Sequence, residues 1–466
     1  MKTALLMDIG STNTKVRFFD LDNLEMVASA RSYTTVEEDV TIGMQKALDE
    51  IKEKGADWED ATYKLACSSA AGGLKMIAIG LVPDLTAEAA KRAALGAGAK
   101  VLDVFSYEIT EKEMEKIQSM EPDLLLLAGG TDGGNKKVIL HNAEVLANSS
   151  INVPIIVAGN KTAEKEVTEI LSDADKDVRA TENVMPELDE LNIQPARETI
   201  RQVFLEQIIN AKGLKKAQEY VENVMMPTPA AVLNAAQLMA EGTPDEDGLG
   251  ELLIVDVGGA TTDVHSLAKG DPSKSGVTLR GLPEPFAKRT VEGDLGMRYS
   301  AQSLLDVVGV KEIKNGLQEL GYEYSGEEVE EKVKNLTLAP EQIPETEEEK
   351  ALDTVIGWAA VKHAVQRHVG EVKVVYTPFG SSYLQYGKDL TQLKTVIGTG
   401  GVIVNHSQPD KILEGATFDE NNPTLLAPKD PEFRLDEEYL LSAVGLLAEK
   451  EPTIALRLAK KYIRIL

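Results

Sequence analysis

Short apolar runs alternate with segments of helical periodicity along most of the chain. The clearest strand-like runs are Thr3–Met7, Val16–Asp20, Leu124–Ala128, Ile155–Ala158, Leu252–Val255, Val372–Tyr376 and Thr395–Ile397. The clearest helical patterns are Val40–Lys54, Thr86–Ala97, Glu111–Met120, Ala163–Ser172, Ala196–Ile209, Ala230–Ala240 and Leu352–His368. Because helices usually connect parallel strands, this alternation predicts an α/β protein with mainly parallel sheets.

Three segments have the composition of connectors. Gly242–Gly250 is rich in glycine and acid, and it divides the chain near its middle. Tyr322–Lys350 is strongly acidic and contains two prolines, and Asn405–Phe433 is rich in Asn, Pro and Asp. All three are predicted to be loops between more regular elements.

One pattern occurs twice. LLMDIGSTNTKVRFFD covers Leu5–Asp20, and LIVDVGGATTDVHSL covers Leu253–Leu267. When the two are aligned, Asp8 meets Asp256, Gly10 meets Gly258, Thr14 meets Thr262, Lys15 meets Asp263 and Val16 meets Val264. Each copy reads as a strand, an acidic residue, a tight polar turn and a second strand, which predicts two β-hairpins in two halves of similar fold.

The turn of each hairpin suits an anion. Glycine exposes backbone N–H groups, which together with Ser and Thr hydroxyls can surround phosphate oxygens. A carboxylate just before the turn would repel phosphate unless a cation lies between them. We therefore interpret Asp8 and Asp256 as residues that hold a hydrated Mg²⁺ or orient an attacking water, with Lys15 as a positive charge for the phosphates.

The alternative for each turn is a tight hairpin whose polar residues serve only the fold. A third element favours the phosphate interpretation. The segment Thr395–Asn405, TVIGTGGVIVN, is a strand-like run with Gly398, Gly400 and Gly401, where the backbone could approach a base or ribose closely. Two facing turns with this element would form a nucleotide cleft.

Charge and composition narrow the function classes. The chain has 466 residues, enough for about three domains, and 49 Lys and Arg against 76 Asp and Glu give a net charge of −27. That charge argues against nucleic acids and anionic membrane surfaces as partners. One cysteine and the absence of a long uncharged apolar run predict a cytoplasmic protein without disulfides or membrane spans.

The three elements, in this order, resemble the two phosphate motifs and the adenosine motif of the actin, Hsp70 and sugar-kinase superfamily. The resemblance implies an actin-like ATPase with two RNase-H-like domains facing a nucleotide cleft, and with ATP and Mg²⁺ as cofactors. It implies contacts with the phosphates or adenosine from Gly10, Ser11, Thr12, Asn13, Thr14, Lys15, Gly258, Gly259, Ala260, Thr261, Thr262, Gly398, Gly400 and Gly401.

A closer resemblance involves LLMDIGSTNTK, PDLLLLAGGTDGGN, DVGGATTDVHS, KRTVEGDLGMR and VIGTGGVIVN. Together these strings are similar to the MutL accessory proteins of adenosylcobalamin-dependent glutamate mutase. The resemblance implies an ATP-hydrolysing, chaperone-like reactivating factor that exchanges damaged cobalamin in such a mutase. It implies a mutase and ATP or ADP as partners. The alternative is a small-molecule kinase of the same superfamily.

The domain organisation expected from these motifs has three parts. Residues 1–245 would form the first RNase-H-like half, with an inserted α/β lobe at about 84–225. Residues 246–410 would form the second half, and residues 411–466 a C-terminal loop and helices. In the inserted lobe, the loop Gly129–Gly134 either opens a helix or faces a nucleotide or partner.

Several single residues have structural interpretations. Cys67 is predicted to be a small buried residue. His265 is assigned to the core or to a structural hydrogen bond, and His363 and His368 to non-catalytic positions. No histidine lies in the D-x-H-x-x-G pattern that ligates cobalt, so we expect the protein not to ligate cobalt itself. The charged turn that contains Arg289 and Arg298 could either contact the nucleotide or form a salt-bridged loop.

Overall fold

The computed structural model describes residues 2–10, 13–35, 39–69, 74–210, 220–221, 223–377 and 380–466. Its strands are β1 (Thr3–Ile9), β2 (Asn13–Asp20), β3 (Glu25–Tyr33), β4 (Tyr63–Ser68), β5 (Lys75–Gly80), β6 (Lys100–Ser106), β7 (Leu124–Leu127), β8 (Ile155–Val157), β9 (Val178–Ala180), β10 (Asn223–Pro227), β11 (Gly242–Thr243), β12 (Glu246–Asp247), β13 (Leu252–Val257), β14 (Thr262–Leu267), β15 (Val277–Arg280), β16 (Ala287–Glu292), β17 (Glu371–Thr377), β18 (Gly380–Tyr386), β19 (Thr395–Thr399), β20 (Glu432–Leu435) and β21 (Arg464–Ile465).

The α-helices are Val40–Glu53, Glu88–Gly96, Glu111–Ser119, Lys137–Ala147, Lys161–Asp173, Gln194–Asn210, Thr228–Glu241, Ala301–Val308, Val310–Glu319, Gly326–Leu338, Glu347–His368, Gly401–Val404, Pro409–Leu413, Leu441–Ala448 and Pro452–Tyr462. A π-helical turn, Pro83–Ala87, precedes the second helix, and a 3₁₀ turn, Glu414–Ala416, follows Pro409–Leu413. The predicted α/β class is therefore confirmed.

Residue contacts divide the chain into two compact units. The first unit contains Met1–Ala235 and Ser442–Leu458, and the second contains Ala236–Leu441 and Ala459–Leu466. The chain passes from one unit to the other within the helix Thr228–Glu241, near the start of Leu441–Ala448, and within Pro452–Tyr462. The boundaries expected from the sequence at 245 and 410 remain a prediction.

Each unit contains a sheet of the same design. The first has the strand order β3-β2-β1-β4-β10, and the second has the order β16-β14-β13-β19-β20, extended by β21. In both, the first two pairings in this order are antiparallel, and the next two pairings are parallel. This order and these directions are those of the RNase-H-like fold, so the expected duplication is present.

The first unit also contains a parallel five-stranded sheet in the order β6-β5-β7-β8-β9. Apolar side chains from β5, β7 and β8 form its core with side chains from the flanking helices, including Ile117, Ala143 and Val167. The strands read as near-continuous apolar runs because both faces of such a sheet are covered by helices. The loop after β7 lies at the carboxyl edge of this sheet.

The second unit has its own core and a further small sheet. Its core joins β13, β14 and β19 to the long helix Glu347–His368, where Ile356, Ala360 and Ala364 are fully buried. A three-stranded sheet in the order β15-β18-β17 completes this unit. Nowhere in the ranges that the structure describes is there a helix both long and apolar enough to span a membrane.

The acidic segment Tyr322–Lys350 is not a connector, and that prediction was wrong. It contains the helix Gly326–Leu338, whose first turn is capped by Ser325 and Glu328 in a reciprocal capping box. It also contains the start of Glu347–His368, capped in the same way by Thr346 and Glu349. Acidic side chains in a first turn stabilise the positive end of the helix dipole, so local negative charge marks helix starts here.

The other two predicted loops also contain short regular elements. Gly242–Gly250 contains the two-residue strands β11 and β12, which pair antiparallel. Asn405–Phe433 contains the helix Pro409–Leu413 and the 3₁₀ turn that follows it. Ile412 and Leu413 are fully buried in the core of the second unit, so this stretch is part of the core rather than a loose connection.

Candidate functional site

The first hairpin turn joins β1 and β2 in the first unit. Asp8 lies directly opposite Lys15 in the antiparallel ladder, and Ile9 lies opposite Thr14. The Gly10 N–H donates to the Asn13 carbonyl at 3.1 Å. A Cβ at Gly10 would lie 2.6 Å from that carbonyl oxygen, so the turn requires glycine there. Ser11 and Thr12, also predicted to contact phosphate, are outside the described residues.

Asp8 is nearly buried and has three side-chain partners. The Thr228 hydroxyl donates to its Oδ1 at 2.7 Å, and the Ser442 hydroxyl donates to its Oδ2 at 3.4 Å. The Cys67 thiol lies 3.7 Å from Oδ1. Burial raises the pKa of this thiol well above its usual value, and the Asp8 charge raises it further. Cys67 is thus a buried neutral neighbour of the carboxylate, which confirms the prediction that it is buried.

Neither Thr228 nor Ser442 was predicted from the sequence. Thr228 begins a helix immediately after β10, and β1, β4 and β10 run parallel, so their carboxyl ends share one edge of the sheet. Ser442 lies in the helix Leu441–Ala448, which packs closely on Thr228–Glu241. A Cβ at Gly445 would lie only 1.8 Å from the Ala231 carbonyl oxygen. The sequence could have identified Thr228 as a site residue, because it is a polar residue that directly follows a buried parallel strand.

The second hairpin turn has the geometry of the first. Asp256 lies opposite Asp263, and Val257 lies opposite Thr262. The Gly258 N–H donates to the Thr261 carbonyl at 2.9 Å, the counterpart of the hydrogen bond across the first turn. The predicted correspondence between the two motifs is therefore present in both the strand register and the turn hydrogen bond.

Every carbonyl of the second turn accepts a hydrogen bond. Gly258 accepts from the Met297 N–H at 3.1 Å, Gly259 from the Arg298 N–H at 2.9 Å, and Ala260 from the Ser300 hydroxyl at 2.8 Å. A Cβ at Gly296 would lie 2.3 Å from the Ala260 carbonyl carbon, so this bracing segment needs glycine for its close approach.

The N–H groups of the same turn are left open. Within the ranges that the structure describes, no acceptor lies within hydrogen-bond reach of the N–H groups of Gly259, Ala260 or Thr261. Ala260 is exposed, and Gly259 and Thr261 are partly exposed. Satisfied carbonyls and unsatisfied, accessible N–H groups give the turn a net positive character suited to an anion.

The two threonines that follow the turns face the interior. The Thr14 hydroxyl bonds the Thr34 hydroxyl at 2.9 Å, and the Thr262 hydroxyl donates to the Leu295 carbonyl at 2.8 Å. Both side chains are fully buried. Their hydroxyl groups therefore serve the fold of each hairpin, and any contact with phosphate at these positions would come from the backbone.

The hairpins differ in the charge opposite the first acid. Lys15 occupies this place in the first hairpin, and Asp263 occupies it in the second. The buried Arg289 donates to Asp263 Oδ1 through Nε at 3.0 Å and through Nη2 at 2.6 Å. The second hairpin thus carries a carboxylate where the first carries Lys15, and Arg289 of β16 pairs with that carboxylate.

The glycines of the third element have different surroundings, although all three were predicted to line adenosine. Gly398 is inside β19, where an added Cβ would meet Leu413 at 2.9 Å. Gly400 has φ +91°, and a Cβ there would lie 2.6 Å from Asp256 Oδ1. Gly401 is exposed. The structure therefore brings the third element against the acid of the second turn, and Gly401 presents the open surface.

Behind this loop, Asp436 links the third element to a helix start. It is almost fully buried, and its Oδ2 accepts from the Thr399 hydroxyl at 3.1 Å. Its two oxygens also accept the N–H groups of Leu440 and Leu441, at 2.6 and 3.2 Å. Asp436 holds the end of β19 in place and was not predicted from the sequence.

The charged turn after the second hairpin is salt-bridged. Arg298 pairs with the buried Asp353 at 2.5 Å. Arg367 pairs with Glu292 at 2.7 Å and with both oxygens of Asp294, and these hydrogen bonds raise the pKa of its guanidinium. Of the two interpretations left open, the observed contacts favour the salt-bridged loop.

The loop after β7 is held by two buried asparagines. Asn160 accepts from the Gly133 N–H at 3.0 Å and donates to the Gly134 and Asn135 carbonyls. Asn183 donates to the Gly130 carbonyl and to Asp132, each at 3.0 Å. These bonds fix the loop conformation and leave open whether it also faces a ligand.

Known relatives identify the family. A family model described as "MutL protein" matches residues 4–463. Protein MutL of Clostridium tetanomorphum is 53% identical over 464 residues, which is 99% of either chain. The chain belongs to the MutL protein family.

Comparison with solved structures gives distant likenesses. The diol dehydratase-reactivating factor in nucleotide-free form aligns over 96% of this chain and 99% of its own, with 12% identity and a TM-score of 0.35. Component A of (R)-2-hydroxyglutaryl-CoA dehydratase from Acidaminococcus fermentans aligns over 99% of both chains, with 10% identity and a TM-score of 0.31. The fold assignment of this MutL-family chain rests on its own strand order and directions.

Proposed function

We propose that this MutL-family protein is a Mg²⁺-dependent ATPase that acts as a chaperone-like reactivating factor. Its partner would be an adenosylcobalamin-dependent mutase of the glutamate mutase or aminomutase type, from which it would release damaged cobalamin. Family membership and the duplicated hairpins support this proposal. The observation that carries it is the second turn, where all four carbonyls accept hydrogen bonds and three N–H groups have no acceptor among the residues that the structure describes.

The two turns have complementary roles in the proposed ATP site. The N–H groups of Gly259, Ala260 and Thr261 would bind phosphate oxygens, with Lys15 adding a positive charge from the first turn. The exposed Gly401 would lie against the nucleoside.

The acidic residues fit Mg²⁺ bound largely through water and phosphate. Over the described ranges, no three His, Cys, Asp or Glu side chains gather into a metal-binding group, and each turn supplies one carboxylate before its glycine. Mg²⁺ in nucleotide sites commonly uses one or two carboxylates and keeps several waters, so Asp8 and Asp256 suffice as its protein ligands. Bound there, Mg²⁺ would neutralise phosphate charge. Thr228 and Ser442 would hold Asp8 in one orientation.

The direct test is reactivation of an inactivated mutase. Holo-glutamate mutase inactivated by turnover is incubated with this protein, ATP and Mg²⁺, and free adenosylcobalamin is then added. We expect mutase activity to return only with hydrolysable ATP, and damaged cobalamin to appear in the filtrate. The same experiment is run with an adenosylcobalamin-dependent aminomutase.

Three outcomes would contradict the proposal. Recovery independent of ATP would exclude an ATP-driven step, and no recovery with either mutase would exclude the reactivating role. An ADP burst that requires a sugar or other small acceptor, without any effect on a mutase, would point to a kinase instead. Omission of the protein and replacement of ATP by a non-hydrolysable analogue are the controls.

A further inference from the structure

Among the described residues, the second half of β17 presents an open edge in the second unit, whereas Glu371 at its start forms an antiparallel bridge with Leu425. It pairs with β18 on one side, and the Val372 N–H on the other side donates to the Thr424 carbonyl at 2.8 Å. Because backbone directions alternate along an antiparallel strand, the N–H and C=O groups of Val374 and Tyr376 also point away from β18. In the part of the chain that the structure describes, these outward groups bond to nothing.

This edge is also unusually apolar for an exposed strand. Tyr376 is 84% exposed and Val374 is 44% exposed, and Tyr383 on the neighbouring strand is 45% exposed. Exposed edge strands are commonly protected by proline, by a bulge or by several charges. The strand β17 contains no proline, and its only charged residues are Glu371 and Lys373, which pair with each other at 2.6 Å. The edge is therefore suited to receive another strand.

A cavity of about 450 Å³ adjoins the same edge. Its floor is one face of the small sheet, where Val374 lies opposite Tyr383 in the ladder. Its walls come from the segment after the 3₁₀ turn Glu414–Ala416, including Phe418, Pro423 and Leu426. A strand added beside Val374 would direct alternate side chains towards this cavity, because side chains alternate between the two faces of a sheet.

The polar groups around the cavity indicate the chemistry of its occupant. Gln385 lines the cavity and is fully buried; its Nε2 donates to two carbonyls, but its Oε1 accepts nothing within the described ranges. Lys274 and Lys429 lie at the exposed rim. The acidic Asp389 is already bonded by Ser273 and Thr391. Two lysines against one carboxylate give the cavity lining a net charge of +1, in a chain of net charge −27.

We propose that this edge and cavity form a docking site for an extended segment of a partner protein in which an apolar residue has an acidic residue two positions before it and another two positions after it, so that all three side chains lie on the cavity side of the sheet. The segment would pair with the outward groups of Val374 and Tyr376 by β-augmentation. An apolar side chain would fill the cavity, and carboxylates would meet Lys274 and Lys429. This site goes beyond the proposed ATPase function and does not depend on it.

Peptide binding to the full-length protein tests the proposal. The probe is a fluorescein-labelled peptide, Thr-Asp-Thr-Leu-Thr-Asp-Thr with blocked ends, in which Leu and both Asp residues share one face; binding is measured by anisotropy without nucleotide. The Val374→Pro variant removes an outward N–H without removing a bond to β18, so we expect about a tenfold loss of affinity. Val375→Thr changes a side chain on the face away from the cavity, so this variant should bind as the wild type does.

The charge of the rim is tested separately. The double variant Lys274→Gln and Lys429→Gln should weaken binding about tenfold and remove most of its salt dependence. The peptide Thr-Lys-Thr-Leu-Thr-Lys-Thr should bind at least about tenfold more weakly than the acidic one. Thermal unfolding of each variant shows whether the fold is retained, and the lysine variants remain informative if Val374→Pro does not fold.

Other occupants would give different results. No binding of the acidic peptide at millimolar concentration, or binding unaffected by both Val374→Pro and the lysine substitutions, would overturn the proposal. Concentration-dependent dimerisation abolished by Val374→Pro would assign the edge to a second copy of this chain. Binding of decanoate, but not of the peptide, in the cavity would assign it to a small amphipathic anion.

Discussion

The Thr228 hydroxyl donates a hydrogen bond of 2.7 Å to Oδ1 of Asp8, joining a helix start to the acid of the first hairpin turn. The same hydroxyl lies 3.6 Å from the Cys67 sulfur. Residues from three parallel strand ends therefore converge on one carboxylate. Since Asp8 is nearly buried, its orientation is set by these neighbours rather than by water.

Replacement of Thr228 should therefore impair hydrolysis through Asp8. The Thr228→Val variant keeps the shape of the side chain but removes the donor, and a hydrogen bond to a charged group contributes roughly 1.5–3 kcal/mol. We expect steady-state ATP hydrolysis to fall by about tenfold or more. Thr228→Ser restores the hydroxyl and should recover most of the rate. Equal losses in both variants would assign Thr228 a packing role.

The two acids before the turns should be needed for hydrolysis but not for folding. Asp8→Asn and Asp256→Asn remove one negative charge each, so ATP should still bind while its hydrolysis falls by about a hundredfold or more. Circular dichroism and fluorescent-nucleotide titration check folding and binding, and phosphate release gives the rate. Glu319→Gln, an exposed substitution, is the control. Wild-type turnover in both Asp variants would refute the assignment of the Mg²⁺ site.

The sequence predicts the hairpins well because their information is local. An acid, a glycine and a polar turn recur at the same spacing, and the structure shows the same register, with Asp8 opposite Lys15 and Asp256 opposite Asp263. Period-two alternation could also have shown that Thr14 faces away from Lys15. The comparison of motifs treated every residue of the turn as exposed. It therefore predicted a phosphate contact for Thr14, whose hydroxyl is buried.

The partners of these residues could not be predicted in the same way. Ser442 and Thr228 approach Asp8 from distant parts of the chain, and the close helix packing at Gly445 has no signal in local composition. The acidic stretch at 322–350 was misread because charge suggested a loop. The capping boxes at Ser325 and Thr346 were readable, and they show helix starts there.

Gly400 should tolerate no side chain. Its φ of +91° disfavours other residues, and an alanine Cβ would lie 2.4 Å from the Val257 carbonyl and 2.6 Å from Asp256 Oδ1. We expect Gly400→Ala to lower the free energy of unfolding by about 2 kcal/mol or more and to abolish nucleotide binding. Urea unfolding and nucleotide titration measure the two effects.

Gly401→Ala is the matched control for this prediction. A Cβ at Gly401 approaches only the Tyr439 hydroxyl, at 3.6 Å, which is an ordinary contact. The free energy of unfolding of Gly401→Ala should stay within about 0.5 kcal/mol of the wild-type value. A stable Gly400→Ala variant with normal nucleotide affinity would show that Asp256 can move without loss of the site.

Two buried histidines should make the second unit sensitive to acid. Burial and the Arg289 cation lower the pKa of His265 to about 3, although Asp263 opposes this shift. Burial lowers the pKa of His368 well below its ordinary value, and Lys288 and Lys388 lower it further. Since these values are depressed in the folded state, the unfolded chain binds more protons as the pH falls below about 6.5. The stability contributed by the neutral histidines is complete above that pH.

Below pH 6.5, each histidine should therefore lower the free energy of unfolding by about 1.4 kcal/mol for every pH unit of acidification. For His265 this decrease continues to about pH 3. Urea unfolding at pH 7.5, 6.0 and 5.0 measures how the free energy of unfolding depends on pH.

His265 Nδ1 has no partner within the described residues, so the stability of His265→Leu should be close to that of the wild type at pH 7.5 and higher at pH 5.0. His368 bonds Thr290 and Ser266 through its two ring nitrogens, so His368→Leu should be destabilised at pH 7.5 because it removes both hydrogen bonds. An unchanged slope in His265→Leu would mean that His265 is protonated in the folded protein.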